Sequence, residues 1–343
     1  MIRERWLFGR SCRSFTLQWH LTHACAFHCA HCYDRSDRSS PSLGEALRIV
    51  ADLQVFCARN RVAPHVCLSG GDPLAYPHFW ALCEHLSRED IPLSLLGNPI
   101  APHQISRLLE TATPRSYQVS LEGLEEYNDR IRGAGHYRQC LRFLADARRL
   151  GLRTHVMLTL GRGNLDQVLP LAEELRGLTH RLTFNRLCQV GGGASMEIPT
   201  QAEYEAFLGL YHEQARSNPL LGLKDNLFSL LRVRQGEAPR GGCTGHGCGA
   251  AFNFVALLPD GEVHACRKFP SLLGNIGTRT LCELYEGPAA RAYRRGPEAC
   301  LACSLRDHCK GCMAVTHGQG LDPLRHCDPH CFHPRVTAGL SAI

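Results

Sequence analysis

Six short apolar, β-rich runs alternate with longer amphipathic segments over the first half of the chain, and this alternation restricts the fold more than any other feature. The runs are "FTLQWHL" (15–21), "HVCLSG" (65–70), "PLSLLG" (92–97), "SYQVSL" (116–121), "RTHVMLTL" (153–160) and "RLTFNRL" (181–187). Between them lie helical patterns at 42–60, 76–89, 101–112, 136–151 and 164–177. Strand–helix–strand units of this kind predict parallel pairing with right-handed crossovers, in a doubly wound sheet or a curved partial barrel. In either, function collects at the C-terminal ends of the strands.

The first such end carries "THACAFHCAHCYDRS", which packs Cys25, Cys29 and Cys32 into eight positions. Thiolates are soft ligands that select iron–sulfur clusters, zinc or Cu(I). A four-iron cube takes one thiolate per iron, so three thiolates leave one iron open to another ligand. The alternative is a three-cysteine zinc site completed by His23, His28 or His31. The second strand ends in "SGGDP", where Gly70 and Gly71 would expose backbone polar groups to a ligand and Asp72 could accept from an ammonium.

Of 19 cysteines, Cys12, Cys57, Cys67, Cys83, Cys140 and Cys188 lie singly and read as small buried hydrophobes, while ten crowd between Cys243 and Cys331. No run reaches the length of a membrane span and no signal-peptide core is present, so the expected location is cytoplasmic and the thiols reduced. The net charge of +6 is spread without an aromatic-interleaved basic block, which gives nucleic acid little support as a partner. "QVGGGASMEIPT" (189–200) reads as a linker or flexible active-site loop. Helical patterns follow, and "FNFVALLPDGEVHAC" reads as a hairpin within a C-terminal segment too poor in apolar residues to bury much core without metal.

"CAFHCAHCY" followed by "LSGGDP" resembles the radical S-adenosylmethionine superfamily. The resemblance implies a partial (β/α)6 TIM-like barrel of α/β class, and an open iron chelated by the amino and carboxylate groups of S-adenosylmethionine. It implies further that reductive cleavage of this cofactor yields a 5′-deoxyadenosyl radical that abstracts a substrate hydrogen. Cys25, Cys29 and Cys32 would bind the cluster, Tyr33 would lie near the adenine, and Gly70, Gly71 and Asp72 would meet the methionyl ammonium. Asp72 stands where the family usually has Glu. Ser120 looks like the ribose contact, Arg132 or its rival Arg130 the carboxylate partner, and Asn185 a further cofactor contact at the end of the sixth strand.

The C-terminal thiols, with CxxCx5CxxC at Cys300, Cys303, Cys309 and Cys312, resemble the irregular, cysteine-rich SPASM extension of radical enzymes that modify peptides and proteins. By that resemblance Cys243, Cys248, Cys266 and Cys312 hold one auxiliary 4Fe-4S cluster, and Cys300, Cys303, Cys309 and Cys331 hold another, with Cys327 the rival for the last place. Cys282 is read as a helix residue. Three 4Fe-4S clusters, one of them binding S-adenosylmethionine, are thus expected. The domains would be a radical core at 1–200, a helical connector at 201–240 and the SPASM domain at 241–343.

The function implied is maturation of a ribosomal peptide or protein, with closed auxiliary clusters taking up electrons in a net oxidation. An external donor of flavodoxin or ferredoxin type is expected. Sulfatase maturases share the architecture but carry an aspartate after the hairpin cysteine, where Arg267 stands here. "GRSCRSFTLQWHLTHAC" with "CYDRSDR" is similar to maturases of thio(seleno)oxazole-type peptides, which would place the attack beside a Cys or Sec. With 14 residues before the first expected strand, recognition of a precursor is expected to use another surface or a separate protein. A multi-cluster electron carrier and a zinc-bound interaction module are the alternatives of other classes.

Overall fold

Along each of the six strands, large apolar residues alternate with polar ones, and the two sets face opposite sides of one curved sheet. In the computed structural model, which describes residues 12–239, 242–245 and 247–334, the strands are β1 (Ser14–His20), β2 (Ala63–Ser69), β3 (Leu93–Leu96), β4 (Tyr117–Ser120), β5 (Thr154–Leu160) and β6 (Leu182–Arg186). They pair in parallel in sequential order. Between them run α1 (Leu43–Asn60), α2 (Phe79–Arg88), α3 (Pro102–Ala112), α4 (Glu125–Arg132), α5 (His136–Arg149) and α6 (Val168–Glu174). The helices cover the apolar face, where Phe15, Leu17, Trp19, Val119, Val156 and Phe184 are buried. The opposite, concave face is polar. His65 bridges the hydroxyls of Thr16 (3.1 Å) and Ser94 (3.0 Å), and His155 meets Thr183 at 2.8 Å. A TIM barrel fills its interior with branched apolar side chains. This half-open barrel keeps a polar bore instead.

The expected strands and five helices are all present, with ends shifted by a few residues. The sequence pattern missed α4 because "EEYNDRIR" buries only Asn128 and Ile131, too little for a helical stripe to register. It also missed β9.

Downstream lie α7 (Gln201–Ser217), α8 (Phe228–Arg234), β7 (Phe254–Leu257), β8 (Glu262–His264), β9 (Leu272–Asn275), α9 (Leu281–Glu286), α10 (Pro288–Arg295) and α11 (Met313–Gly318). The connector helices pack on the sixth strand, with Phe207 and Tyr211 at 5.3 and 5.1 Å from the Phe184 ring. The hairpin forms as expected, yet β7 pairs in parallel with β1, so one nine-stranded sheet, ordered β6-β5-β4-β3-β2-β1-β7-β8-β9, runs across the boundary expected at residue 241. All four residues of β7 are buried. The C-terminal segment therefore gains apolar cohesion from the barrel, which its own composition did not reveal. Cys282 lies buried in α9, as expected. The outer ends of the first and third expected domains, residues 1–11 and 335–343, lie outside the described residues, as does the start of "GRSCRSF". No helix among the described residues is long and apolar enough to cross a membrane.

Candidate cofactor and cluster site

The chain leaves β1 into the cysteine loop, and Cys25, Cys29 and Cys32 line a cavity of roughly 650 Å3 at the C-terminal ends of the strands. Tyr33, Gly70, Gly71, Ser120, Arg132 and Asn185 line the same cavity, delivered by four different strand ends. Arg130 does not; it stacks on Tyr127 at 4.8 Å. Asp72 sits just behind the wall, where its carboxylate accepts from the Leu74 amide (3.1 Å) and from Asn98 (3.2 Å).

The two glycines act differently from expectation. A Cβ on Gly70, which has φ +136°, would stand 2.3 Å from the Thr22 carbonyl oxygen, and one on Gly71 would stand 2.5 Å from that of Ala24. The Gly71 and Asp72 amides donate to those same carbonyls at 2.8 Å. Hence the pair lets the end of β2 lie directly on the cysteine loop, and two of its amides are committed there rather than offered to a ligand. The run Gly191–Gly193 does the same from the other side. The Gly192 amide donates to the Cys32 carbonyl at 2.8 Å, and a Cβ there would meet the Ala30 oxygen at 2.5 Å. The segment read as a linker is a seat for the loop.

Beneath the loop, Glu122 is 1% exposed. It accepts from Arg132 Nε (2.7 Å) and Nη2, from the Thr159 amide (2.7 Å) and pairs with His31 Nε2 at 2.9 Å. Burial alone would raise this carboxyl, but Arg132 and His31 outweigh burial and hold it down at about 2. The remaining Arg132 nitrogen, Nη1, lies 3.6 Å from the Cys29 sulfur, and Asn98 Nδ2 lies 3.6 Å from that of Cys25. The Tyr33 hydroxyl meets His20 Nε2 at 3.2 Å, where burial pulls His20 down to about 3 and so keeps it neutral.

The C-terminal thiols fall into two neighbourhoods. Cys248 is raised first by burial and then by Cys243, Cys312 and Cys266 close by. Cys300 is pushed up to about 12 by burial and then by Cys327, Cys331 and Cys303. Cys309 likewise lies near Cys331. Cys312 thus keeps company with the first set although Cys309, three residues earlier, belongs to the second. Arg186, 3% exposed at the end of β6, clamps this loop with bidentate bonds of 2.7 and 2.6 Å to Asp328. Cys188 is buried in the hydrophobic core, as expected, and it also lines the cavity, its thiol directed at the Arg186 carbonyl at 3.8 Å.

Comparison with known proteins decides the family. The model described as "Radical SAM superfamily" matches residues 19–175, and the one described as "Iron-sulfur cluster-binding domain" matches 248–313. Mycofactocin maturase MftC of Mycobacterium ulcerans is 30% identical over 92% of this chain and 87% of its own length. The chain is a radical SAM enzyme with a C-terminal SPASM domain. An AdoMet-dependent heme synthase of Methanosarcina barkeri is 25% identical over 92% of this chain and 96% of its own. In fold, the enzyme is similar to Streptococcus suis SuiB bound to S-adenosylmethionine, with a TM-score of 0.72 and 16% identity over 94% of this chain and 78% of that one.

The radical SAM enzyme's own residues fit the group the family implies. Three reduced thiols face one cavity, and N–H donors from Asn98 and Arg132 approach two of the sulfurs, an arrangement that suits thiolate and sulfide charge. Glu122 and Asn98 escaped sequence reasoning. Glu122 and Asn98 each follow a strand end, at "VSLEG" and "LLGN", and that position was the available signal.

Proposed function

We propose that the enzyme matures a ribosomally made peptide by hydrogen abstraction, with Cys25, Cys29 and Cys32 holding the S-adenosylmethionine-binding 4Fe-4S cluster. When bound, that cluster and its cofactor supply a 5′-deoxyadenosyl radical. The observation carrying this reading is the convergence of three thiols, Tyr33, Ser120, Arg132 and Asn185 on one cavity at the strand ends. Arg132 is oriented by Glu122, leaving Nη1 to face the cluster side, where a carboxylate would also be received. Asp72, already engaged by Leu74 and Asn98, acts on an ammonium from behind the wall and chiefly caps the turn at Pro73–Ala75.

The grouping of Cys243, Cys248, Cys266 and Cys312, and of Cys300, Cys303, Cys309 and Cys331, supports two further closed clusters. Electrons left on a substrate radical would pass to them and on to an external carrier, giving a net oxidation. Formylglycine formation on a protein Ser or Cys is the weaker reading, since Arg267 lines the cavity beside Cys266 where a carboxylate base would be wanted.

Anaerobic reconstitution followed by mass spectrometry of a short peptide encoded beside the gene tests the proposal. A mass loss of two hydrogens, or of a larger even number, is expected with dithionite and S-adenosylmethionine present. An unmodified peptide alongside abundant 5′-deoxyadenosine would refute the peptide reading while leaving the radical chemistry intact.

A further inference from the structure

Of the 38 cationic side chains in the chain only Lys224, Lys268 and Lys310 are lysines. They lie far apart in sequence, yet the fold brings all three to the thiols of Cys243, Cys248, Cys266 and Cys312. Lys224 lines one cavity with Cys243 and faces that thiol. Lys268 faces Cys266 and Cys312 and donates to the Arg186 carbonyl at 3.3 Å. Lys310 faces Cys248, although Cys309 is its neighbour in the chain, and donates to the Arg294 carbonyl at 2.9 Å. Arg267 joins them, facing Cys266 and Cys243. Arg267 and Lys268 also line the cofactor cavity, so the side of this set that meets the cavity is cationic. Among the described residues none of these four cations forms an ion pair with a carboxylate.

The set of Cys300, Cys303, Cys309 and Cys331 has the opposite surroundings. Asp328 faces Cys300, Cys309 and Cys331, and Asp225 faces Cys309. The two carboxylates share the single guanidinium of Arg186, at 2.9 Å from Asp225 and 2.6 Å from Asp328, so one negative charge is left over. Arg306, between Cys303 and Cys309 in the chain, donates to the Arg295 carbonyl at 3.3 Å. Asp328 reaches the Cys266 set as well, through the Cys312 amide at 2.7 Å, but Arg186 and Lys268 outnumber it there.

A cube closed by four thiolates is an anion that gains a further negative charge on reduction. Cations beside it therefore favour the reduced form and raise its potential, and carboxylates lower it. A lysine ammonium is a compact point charge and suits this role.

We propose that Lys224, Arg267, Lys268 and Lys310 form a cationic shell that sets the cluster of Cys243, Cys248, Cys266 and Cys312 at the higher potential of the two auxiliary clusters, so that it accepts the electron of the substrate radical. This rests on the peptide-oxidation reading and its two auxiliary clusters, and adds which of them accepts first and what makes it accept. The 5′-deoxyadenosyl radical takes one hydrogen atom from a substrate C–H bond. A neighbouring heteroatom–hydrogen bond then breaks and its proton goes to water. Of the electron pair left behind, one electron pairs with the carbon radical to form the new bond and the other reduces the Cys266 cluster. That electron leaves to the external carrier of flavodoxin or ferredoxin type.

Redox titration of the anaerobically reconstituted enzyme, followed by EPR, tests the shell without turnover. Cys29→Ala and Cys331→Ser each delete one signal, and the signal that survives in both belongs to the Cys266 cluster. Its midpoint is expected to lie above the one lost in Cys331→Ser. Lys224→Gln and Lys268→Gln should each disfavour its reduced form about tenfold, a fall of about 59 mV for one electron, and should disfavour the reduced form of the other auxiliary cluster less than about twofold. Lys268→Arg keeps the charge and should keep the parent midpoint, a rescue that a merely structural role would not require. Arg325→Gln, on a side chain that is 72% exposed, should move neither midpoint.

A higher midpoint for the cluster lost in Cys331→Ser would overturn the proposal, as would equal shifts at both auxiliary clusters or no shift in either glutamine variant. Fewer than about four irons in Cys29→Ala would overturn the two-cluster reading itself, and the shell with it.

Discussion

Asp328→Asn is expected to loosen the C-terminal cysteine loop from the barrel while changing no side-chain volume. The carboxylate, 2% exposed, accepts from Arg186 Nη1 (2.7 Å) and the His330 amide (3.0 Å) at Oδ1, and from Arg186 Nη2 (2.6 Å) and the Cys312 amide (2.7 Å) at Oδ2. An asparagine keeps one acceptor oxygen, so two of the four donors face an NH2 group. Hydrogen bonds to a charged group contribute about 1.5–3 kcal/mol each, which puts the loss of two at roughly 3–6 kcal/mol. Asp225 still holds Arg186 Nε at 2.9 Å, which keeps the guanidinium from being wholly unpaired. The low end, about 3 kcal/mol, is therefore expected, in line with breaking a buried pair by removing one partner. Anaerobic urea unfolding of the reconstituted protein measures this, with iron content recorded before the titration. A loss below about 1 kcal/mol would show that the clamp is not what joins the two regions and would refute the reasoning.

Gly71→Ala should strip the first cluster, because its Cβ would meet backbone oxygens of Ala24 and His23 at 2.5 and 2.6 Å. About four irons should be lost, whereas Gly209→Ala, with nothing within 4 Å, should keep full iron content. Cys331→Ser should cost the second auxiliary cluster and Cys327→Ser should not; comparing their iron contents and Mössbauer spectra decides which closes the site. His65, pulled to about 4 by burial and by Arg115, stays neutral in the fold, while an unfolded histidine protonates below about 6.5. The unfolded state then binds more protons between pH 6.5 and 4, so stability falls as pH drops through that window. His65→Gln should flatten the slope of unfolding free energy by about 1.4 kcal/mol per pH unit between pH 6 and 4.5, as read from urea midpoints.

The barrel was legible because each strand buries one whole face, which writes a strong alternation into the chain, as in "FTLQWHL". The polar partner face was equally visible in Thr16, His65 and Thr183, but its meaning depends on closure of the sheet, which no local pattern encodes. The spacing of Cys25, Cys29 and Cys32, and the family resemblance for Ser120, Arg132 and Asn185, marked these six as candidates, and the fold brings all six to one cavity. Glu122 was not marked: its role comes from Arg132, His31 and Thr159, which are far apart in the chain or on another strand. The pairing of β7 with β1 joins residues more than 230 positions apart and leaves a trace only in the wholly apolar "FVAL".

The most direct measurement of the central claim is 5′-deoxyadenosine released per enzyme after anaerobic reduction in the presence of S-adenosylmethionine, for the parent chain and for Cys29→Ala. The parent, carrying about twelve irons in three cubes, is expected to release it steadily. Cys29→Ala should retain about eight irons and release none. Release at the parent rate from Cys29→Ala would contradict the assignment of Cys25, Cys29 and Cys32 as the site where the cofactor is cleaved.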